Sequence, residues 1–126
     1  MTEKLELLRC NLCQNLVEVI NEGQGELVCC NEEMEHLIEH EVEENNPHYA
    51  HIERIDNLTK KITFNHVMTP EHHLEFIEVI SNDLKYIKRK CLNFDETPEL
   101  TFRCECKEGF FIRLYCNVDG VLITRI

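Results

Sequence analysis

The sequence predicts an all-β protein in two parts, a short cysteine-held module and then a β-sandwich or barrel. Two observations carry that expectation. Cysteine pairs bracket a stretch too short to bury a core of its own, at Cys10-Asn11-Leu12-Cys13 and Cys29-Cys30. Beyond residue 50, seven short runs rich in Ile, Leu, Phe, Tyr and Val are separated by turn-prone groups, a pattern that suits a sandwich or barrel of roughly ninety residues. A chain of 126 residues has room for one ordinary domain, or for a very small one ahead of a compact one.

Taken from the N-terminus, Leu5, Leu7 and Leu8 before the first cysteine pair and Val17 and Val19 after it alternate as strands do. That favours a metal-binding turn over a redox dithiol, since a redox Cys-x-x-Cys usually opens a helix. A hairpin signal (Asn21, Gly23, Gly25) then leads to Cys29-Cys30. Four thiolates from two short loops suit a tetrahedral site for iron or zinc, and the binding energy would fold the segment. Eight cysteines in so short a chain could also mark disulfides. The first twenty residues, however, carry Glu3, Lys4, Glu6 and Arg9 and lack the apolar core of a signal peptide, so a reducing, cytoplasmic setting is expected.

After Cys30 the stretch EEMEHLIEHEVEENN places Met34, Leu37, Ile38 and Val42 at helical spacing. Its acidic part, residues 39–44, reads as a linker with a solvated face. The seven runs are HIERI, KITF, LEFIEVI, LKYIKRKCL, ELTFRCEC, FFIRLYC and VLITRI. Asp56-Asn57, Ser81-Asn82-Asp83, Glu108-Gly109 and Asn117-Val118-Asp119-Gly120 supply turns between them. No repeat or low-complexity segment interrupts the pattern.

Charge narrows the function. A net charge of −11 opposes nucleic acid or an anionic membrane as partner. It also repels a small anionic substrate unless the local charge differs. No apolar run approaches the length of a membrane span.

Together these residues resemble the desulfoferrodoxins, the two-iron class of superoxide reductase. The resemblance is carried by CNLCQNLVEVI and GQGELVCCNEEM, the histidine in PHYAHIERI, the His-x5-His of HVMTPEHHLEFIEVI, and LYCNVDG; it runs from about Lys4 to Gly120. It implies a desulforedoxin-like module over residues 1–37, with an FeS4 centre on Cys10, Cys13, Cys29 and Cys30. It implies an immunoglobulin-like sandwich over residues 38–126 that holds a second iron. There His48, His66 and His72 match three of four equatorial imidazoles, and Cys116 matches the axial thiolate. The family further implies a homodimer that reduces superoxide to hydrogen peroxide with electrons from an external donor such as rubredoxin. Zinc is a possible substitute metal.

Two departures follow from the same alignment of motifs. The family's fourth imidazole, in YCN-x-HG, falls on Asp119 in YCNVDG. The Glu-Lys pair that usually precedes the first ligand histidine is Asn46-Pro47 here; in the family that lysine is held to attract superoxide and help deliver a proton. A carboxylate in place of an imidazole adds a negative charge and a harder donor, and both favour ferric over ferrous iron. Aspartate also has a shorter reach than histidine, so Asp119 is either a ligand or leaves a gap for water. Two readings stay open: a superoxide reductase with an altered iron site, or a non-catalytic metalloprotein. In the second, the FeS4 module carries electrons or staples a dimer, and the sandwich site is empty, zinc-filled or structural.

His51 and His73 lie three residues and one residue from presumed ligands, an odd offset that turns a strand side chain to the opposite face. His36 and His40 read as surface residues. Cys104 and Cys106 share a strand face with Phe102 and read as small core residues. Cys91, in KRKCLNF, has basic neighbours that could lower its pKa but reads as structural.

Overall fold

The computed structural model describes residues 1–103 and 109–126. The predicted turn at Glu108 and the core placement of Cys104 and Cys106 therefore lie outside the described residues. Those residues form thirteen strands and no helix, and none of them supplies a helix long and apolar enough to cross a membrane. The chain divides into two compact units, Met1–Ile38 and Glu39–Ile126.

The first unit contains β1 (Leu7–Arg9), β2 (Leu16–Glu18), β3 (Val28–Cys29), β4 (Glu32–Glu33) and β5 (Glu35–His36). β1 is central, antiparallel to β2 on one edge and β5 on the other. β3 and β4 form a separate hairpin. Leu8, Cys10, Val19 and Met34 are its buried cluster, with Val17, Leu27 and Cys29 packed against them. A core this small offers little apolar burial to offset the entropy of ordering the chain. Met34, Leu37 and Ile38, despite their helical spacing, lie in or beside short extended segments.

The second unit contains β6 (Glu39–Glu41), β7 (His51–Arg54), β8 (Thr59–Thr63), β9 (Leu74–Ser81), β10 (Ile87–Cys91), β11 (Glu99–Arg103), β12 (Phe110–Cys116) and β13 (Gly120–Arg125). A five-stranded sheet runs β10-β9-β12-β13-β6 and a three-stranded sheet β11-β8-β7. Ile62, Leu100 and Phe102 from the smaller sheet meet Ile77, Val79, Ile112 and Leu114 from the larger in one core. Among the described residues, each of the seven apolar runs contributes a strand to this sandwich.

The acidic segment is not a linker. Glu39–Glu41 pairs in parallel with Val121–Ile123 of β13, although all three of its side chains are exposed. Its anchor is ionic. β12 is buried along its whole length, with Ile112, Leu114 and Cys116 in the core and Arg113 on the opposite face. The buried Arg113 guanidinium donates from Nε to Glu78 Oε1 at 2.7 Å and from Nη1 to Glu39 Oε1 at 2.9 Å. Arg89 Nε donates to the other oxygen of the buried Glu78 at 3.0 Å. Leaving either buried charge alone would cost several kcal/mol, so Glu39 is held as a counter-ion.

Candidate metal centres

Cys10 and Cys13 sit on the tight turn between β1 and β2, where the Gln14 N–H donates to the Cys10 carbonyl at 2.9 Å. The Cys13 N–H donates to Cys10 Sγ at 3.4 Å. Cys29 ends β3 and Cys30 begins the turn into β4. Two adjacent cysteines converge on one point only if the backbone reverses sharply, and Cys30 and Asn31 do so at φ 53° and 64°. The four sulfurs all lie within 4.8 Å of one another. Cys13 and Cys29 are 3.5 Å apart, and Cys29 and Cys30 are 3.9 Å apart. A tetrahedral metal with sulfur bonds of about 2.3 Å sets its sulfurs roughly 3.8 Å from one another, so this donor set fits.

Electrostatics divides the four thiols. Backbone N–H groups of Cys13 and Leu12 bring Cys10 down to about 6. Contact with the sulfurs of Cys13, Cys10 and Cys29 pushes Cys30 up to about 12, and contact with those of Cys13 and Cys10 raises Cys29. Cys10 is thus the thiol most readily ionised, and the protons held on Cys29 and Cys30 would leave as a metal binds.

The second cluster is assembled from four segments of the sandwich. His48 lies in the turn after β6, His66 just beyond β8, His72 just before β9, and Cys116 and Asp119 at the β12–β13 turn. The register of β12 against β9 shifts between Tyr115 and Cys116, a bulge beside the site. Gly120, at φ 83°, closes the β12–β13 turn in the left-handed region that glycine tolerates. The five ligand-type atoms lie within 4.8 Å of one another. His48 Nε2 is 3.0 Å from Asp119 Oδ2, His72 Nε2 is 3.2 Å from the same oxygen, and Cys116 Sγ is 3.6 Å from both His66 Nε2 and Asp119 Oδ2. His48, His66 and Cys116 are buried, while His72 and Asp119 are partly open to solvent.

Two hydrogen bonds fix which imidazole nitrogens are free. His66 Nδ1 faces the Val67 carbonyl at 2.6 Å, and a carbonyl only accepts, so Nδ1 carries the hydrogen. Asn46 Oδ1 accepts the His48 backbone N–H at 2.8 Å and faces His48 Nδ1, also at 2.8 Å. That backbone donor identifies the Asn46 atom as the oxygen, so His48 Nδ1 carries its hydrogen too. In the neutral rings both Nε2 atoms therefore present lone pairs, and they face each other at 3.0 Å. Two buried lone pairs at that distance repel unless a cation lies between them. Bonds of about 2.1 Å to a single metal put right-angled nitrogen or oxygen donors about 3 Å apart, which matches.

Burial lowers the pKa of His48 and His66, with like charges nearby acting the same way, so both are neutral and able to ligate. Burial raises the Cys116 thiol. Asp119 lies below its ordinary value, because His48, His72 and Cys116 outweigh the opposing effect of burial.

His51 and His73 stay outside this cluster. His73 Nδ1 donates to the Thr69 carbonyl at 2.9 Å and its Nε2 approaches Glu75 at 3.8 Å, while His51 lies edge-on to the Tyr49 ring. His36 bridges Glu6 and Glu26, and Cys91 is exposed. Two asparagines to which the sequence assigned no supporting role hold the cluster. Asn46 is one. The other is Asn117, whose Oδ1 accepts the His73 N–H at 2.8 Å and whose Nδ2 donates to the Glu71 carbonyl at 3.0 Å, tying the His72 loop to the Cys116 turn. Asn117 lies inside the YCN-x-HG motif and Asn46 beside the first ligand histidine, but neither position signals the bonds it makes.

Two family models match the chain: "Desulfoferrodoxin, N-terminal domain" over residues 2–37 and "Desulfoferrodoxin" over residues 31–124. A desulfoferrodoxin homolog of Methanothermobacter thermautotrophicus is 37% identical over 124 residues, covering 96% of this chain and 98% of its own. The desulfoferrodoxin of Desulfarculus baarsii is 36% identical over 123 residues, covering 95% of each chain. Among solved structures, the superoxide reductase of Treponema pallidum shares the fold with a TM-score of 0.73 at 21% identity, covering 95% of this chain and 97% of its own.

Proposed function

The chain belongs to the desulfoferrodoxin family, and from that membership we propose that it reduces superoxide to hydrogen peroxide. His48, His66, His72 and Cys116 would hold the reacting iron, with Asp119 as a further donor. When bound there, iron supplies the one-electron couple by which superoxide, with two protons, becomes hydrogen peroxide. Cys10, Cys13, Cys29 and Cys30 would hold a second iron in the desulforedoxin-like module at residues 1–37, ahead of a reductase-like sandwich at residues 38–126. A rubredoxin-like donor and a second copy of the chain are the partners this reading carries.

One observation supports metal binding above the others: the opposed Nε2 lone pairs of His48 and His66, 3.0 Å apart in a buried setting. The chain's own residues then define the chemistry. His48 and His66 are neutral donors of fixed tautomer, and Cys116 brings a buried sulfur to the same point. The Cys116 thiolate and the Asp119 carboxylate together cancel the charge of a divalent cation, which biases the site toward the higher oxidation state. Asp119 is also partly exposed, as is His72, and Pro47 brings no charge where the family carries its lysine. Those two features favour a competing reading, an FeS4 electron carrier whose sandwich site is inert.

Counting iron per chain after growth in iron-replete medium, together with pulse radiolysis of the reduced protein, separates the two. Two irons per chain and superoxide-dependent oxidation of the sandwich centre are expected. One iron and no reaction with superoxide would leave the electron carrier as the account.

A further inference from the structure

We propose that Asn46 is the positioning residue of the sandwich centre, fixing His48 in the tautomer that presents Nε2 to the other donors. The geometry has three parts. Asn46 opens the turn Asn46-Pro47-His48, in which its side-chain oxygen accepts the backbone N–H two residues on, an Asx-turn. The same oxygen accepts the ring Nδ1–H of His48 at 2.8 Å. The turn is itself held by main-chain bonds, from the Asn46 N–H to the Glu43 carbonyl at 2.9 Å and from the Tyr49 N–H to the Asn46 carbonyl at 3.0 Å.

A carbonyl oxygen has two lone pairs, and here both are engaged by one residue. Asn46 is therefore committed to His48 and is not itself a donor to a cation. Its backbone bond sets where the histidine begins, and its ring bond sets which way the imidazole faces. Proline at the intervening position fixes its own φ near −65° and restricts Asn46 to extended backbone, so the side-chain oxygen has little freedom to leave. Without the acceptor, His48 can carry its hydrogen on Nε2, where Asp119 Oδ2 and His66 Nε2 both lie 3.0 Å away and the hydrogen would occupy the place of a metal.

The metal-affinity part of this inference rests on the proposed metal centre; the tautomer part does not. Two variants of the full chain test it, Asn46→Ala and Asn46→Asp, the second keeping an oxygen acceptor in the same place. In metal-free protein at pH 7.5, long-range proton–nitrogen correlation should show His48 as the Nδ1–H form in the native chain and in Asn46→Asp, but not in Asn46→Ala. Cobalt(II) titration should show sandwich-site binding weakened about 10- to 100-fold in Asn46→Ala and largely restored in Asn46→Asp. The cobalt spectrum of the four-cysteine site should be the same in all three. A His48 protonated on Nε2 in the native chain would overturn the proposal by itself, even if Asn46→Ala failed to fold. Native-strength cobalt binding by Asn46→Ala would also overturn it, while leaving the proposed metal centre intact. A native chain that bound no cobalt in the sandwich would instead count against the metal centre, and the tautomer measurement would still decide the role of Asn46.

Discussion

The two candidate centres are built by opposite means. The four cysteines come from two turns of one short unit, between Cys10 and Cys30. The second set comes from separate segments between His48 and Asp119 and meets only when two sheets are in place. One unit has four buried side chains as its apolar cluster. The other has a core drawn from residues between Ala50 and Leu122 of the sequence, and an internal ion-pair network besides. A metal would thus be part of the folding energy in the first unit and a guest in the second. The difference separates what each site needs from its chain: donors at the right spacing in one case, a finished scaffold in the other.

The sharpest way to break that contrast is to remove one sulfur. Structural metal in small modules contributes about 10 kcal/mol or more, far beyond what the first unit's cluster supplies. Cys13→Ser or Cys29→Ser should abolish the thiolate-to-ferric charge-transfer bands and leave amides of residues 1–38 exchanging freely. The sandwich should keep its protection. Hydrogen exchange measured segment by segment decides it, and a first unit that stayed protected without metal would mean that its apolar cluster suffices.

A second test addresses the sandwich. If its stability is its own, the damaging change is to its buried charges. Glu78→Ala takes from the buried Arg113 its buried carboxylate partner and should cost about 3–5 kcal/mol. Denaturant unfolding of the second unit would register it as a lower midpoint, with the visible bands of the four-cysteine centre unchanged up to the transition. Equal loss of both signals at one midpoint would show the two units to be energetically inseparable.

The same contrast explains what could be read from the sequence. Cysteine spacing is local, so Cys10, Cys13, Cys29 and Cys30 could be singled out without a structure, and all four converge. The seven apolar runs announced their strands because burial of one or both faces selects Ile, Leu, Val and Phe. β6 announced nothing. Its side chains are exposed, its pairing is through backbone atoms, and the partner of Glu39 is an arginine 74 positions away. The cluster of His48, His66, His72, Cys116 and Asp119 was visible only through a family motif, since nothing in local spacing brings those positions together. Asn46 stayed hidden because one oxygen serving two N–H groups of a neighbour leaves no periodic trace.

The smallest expected effect, and the finest probe of the contrast, is Asp119→His. The carboxylate oxygen lies 3.0 Å from His48 Nε2 and 3.2 Å from His72 Nε2. It can therefore share a cation with both. Replacing it removes one negative charge and exchanges a hard oxygen donor for a neutral nitrogen. Both changes disfavour ferric iron relative to ferrous, so the potential of the sandwich centre should rise, on the order of 60 mV if the ferric preference falls tenfold. The four-cysteine centre, held by residues of the other unit, should keep its potential. Spectroelectrochemistry on the same sample reads both couples, with the four-cysteine centre as internal standard. Iron per chain should stay at its native count, because His48, His66, His72 and Cys116 are positioned by β-sheet ends, by Asn46 and by Asn117 rather than by Asp119. An unmoved sandwich potential at full occupancy would show that Asp119 does not act on the metal. A potential that moved in both centres would show that the two sites, so different in construction, are electrically one system.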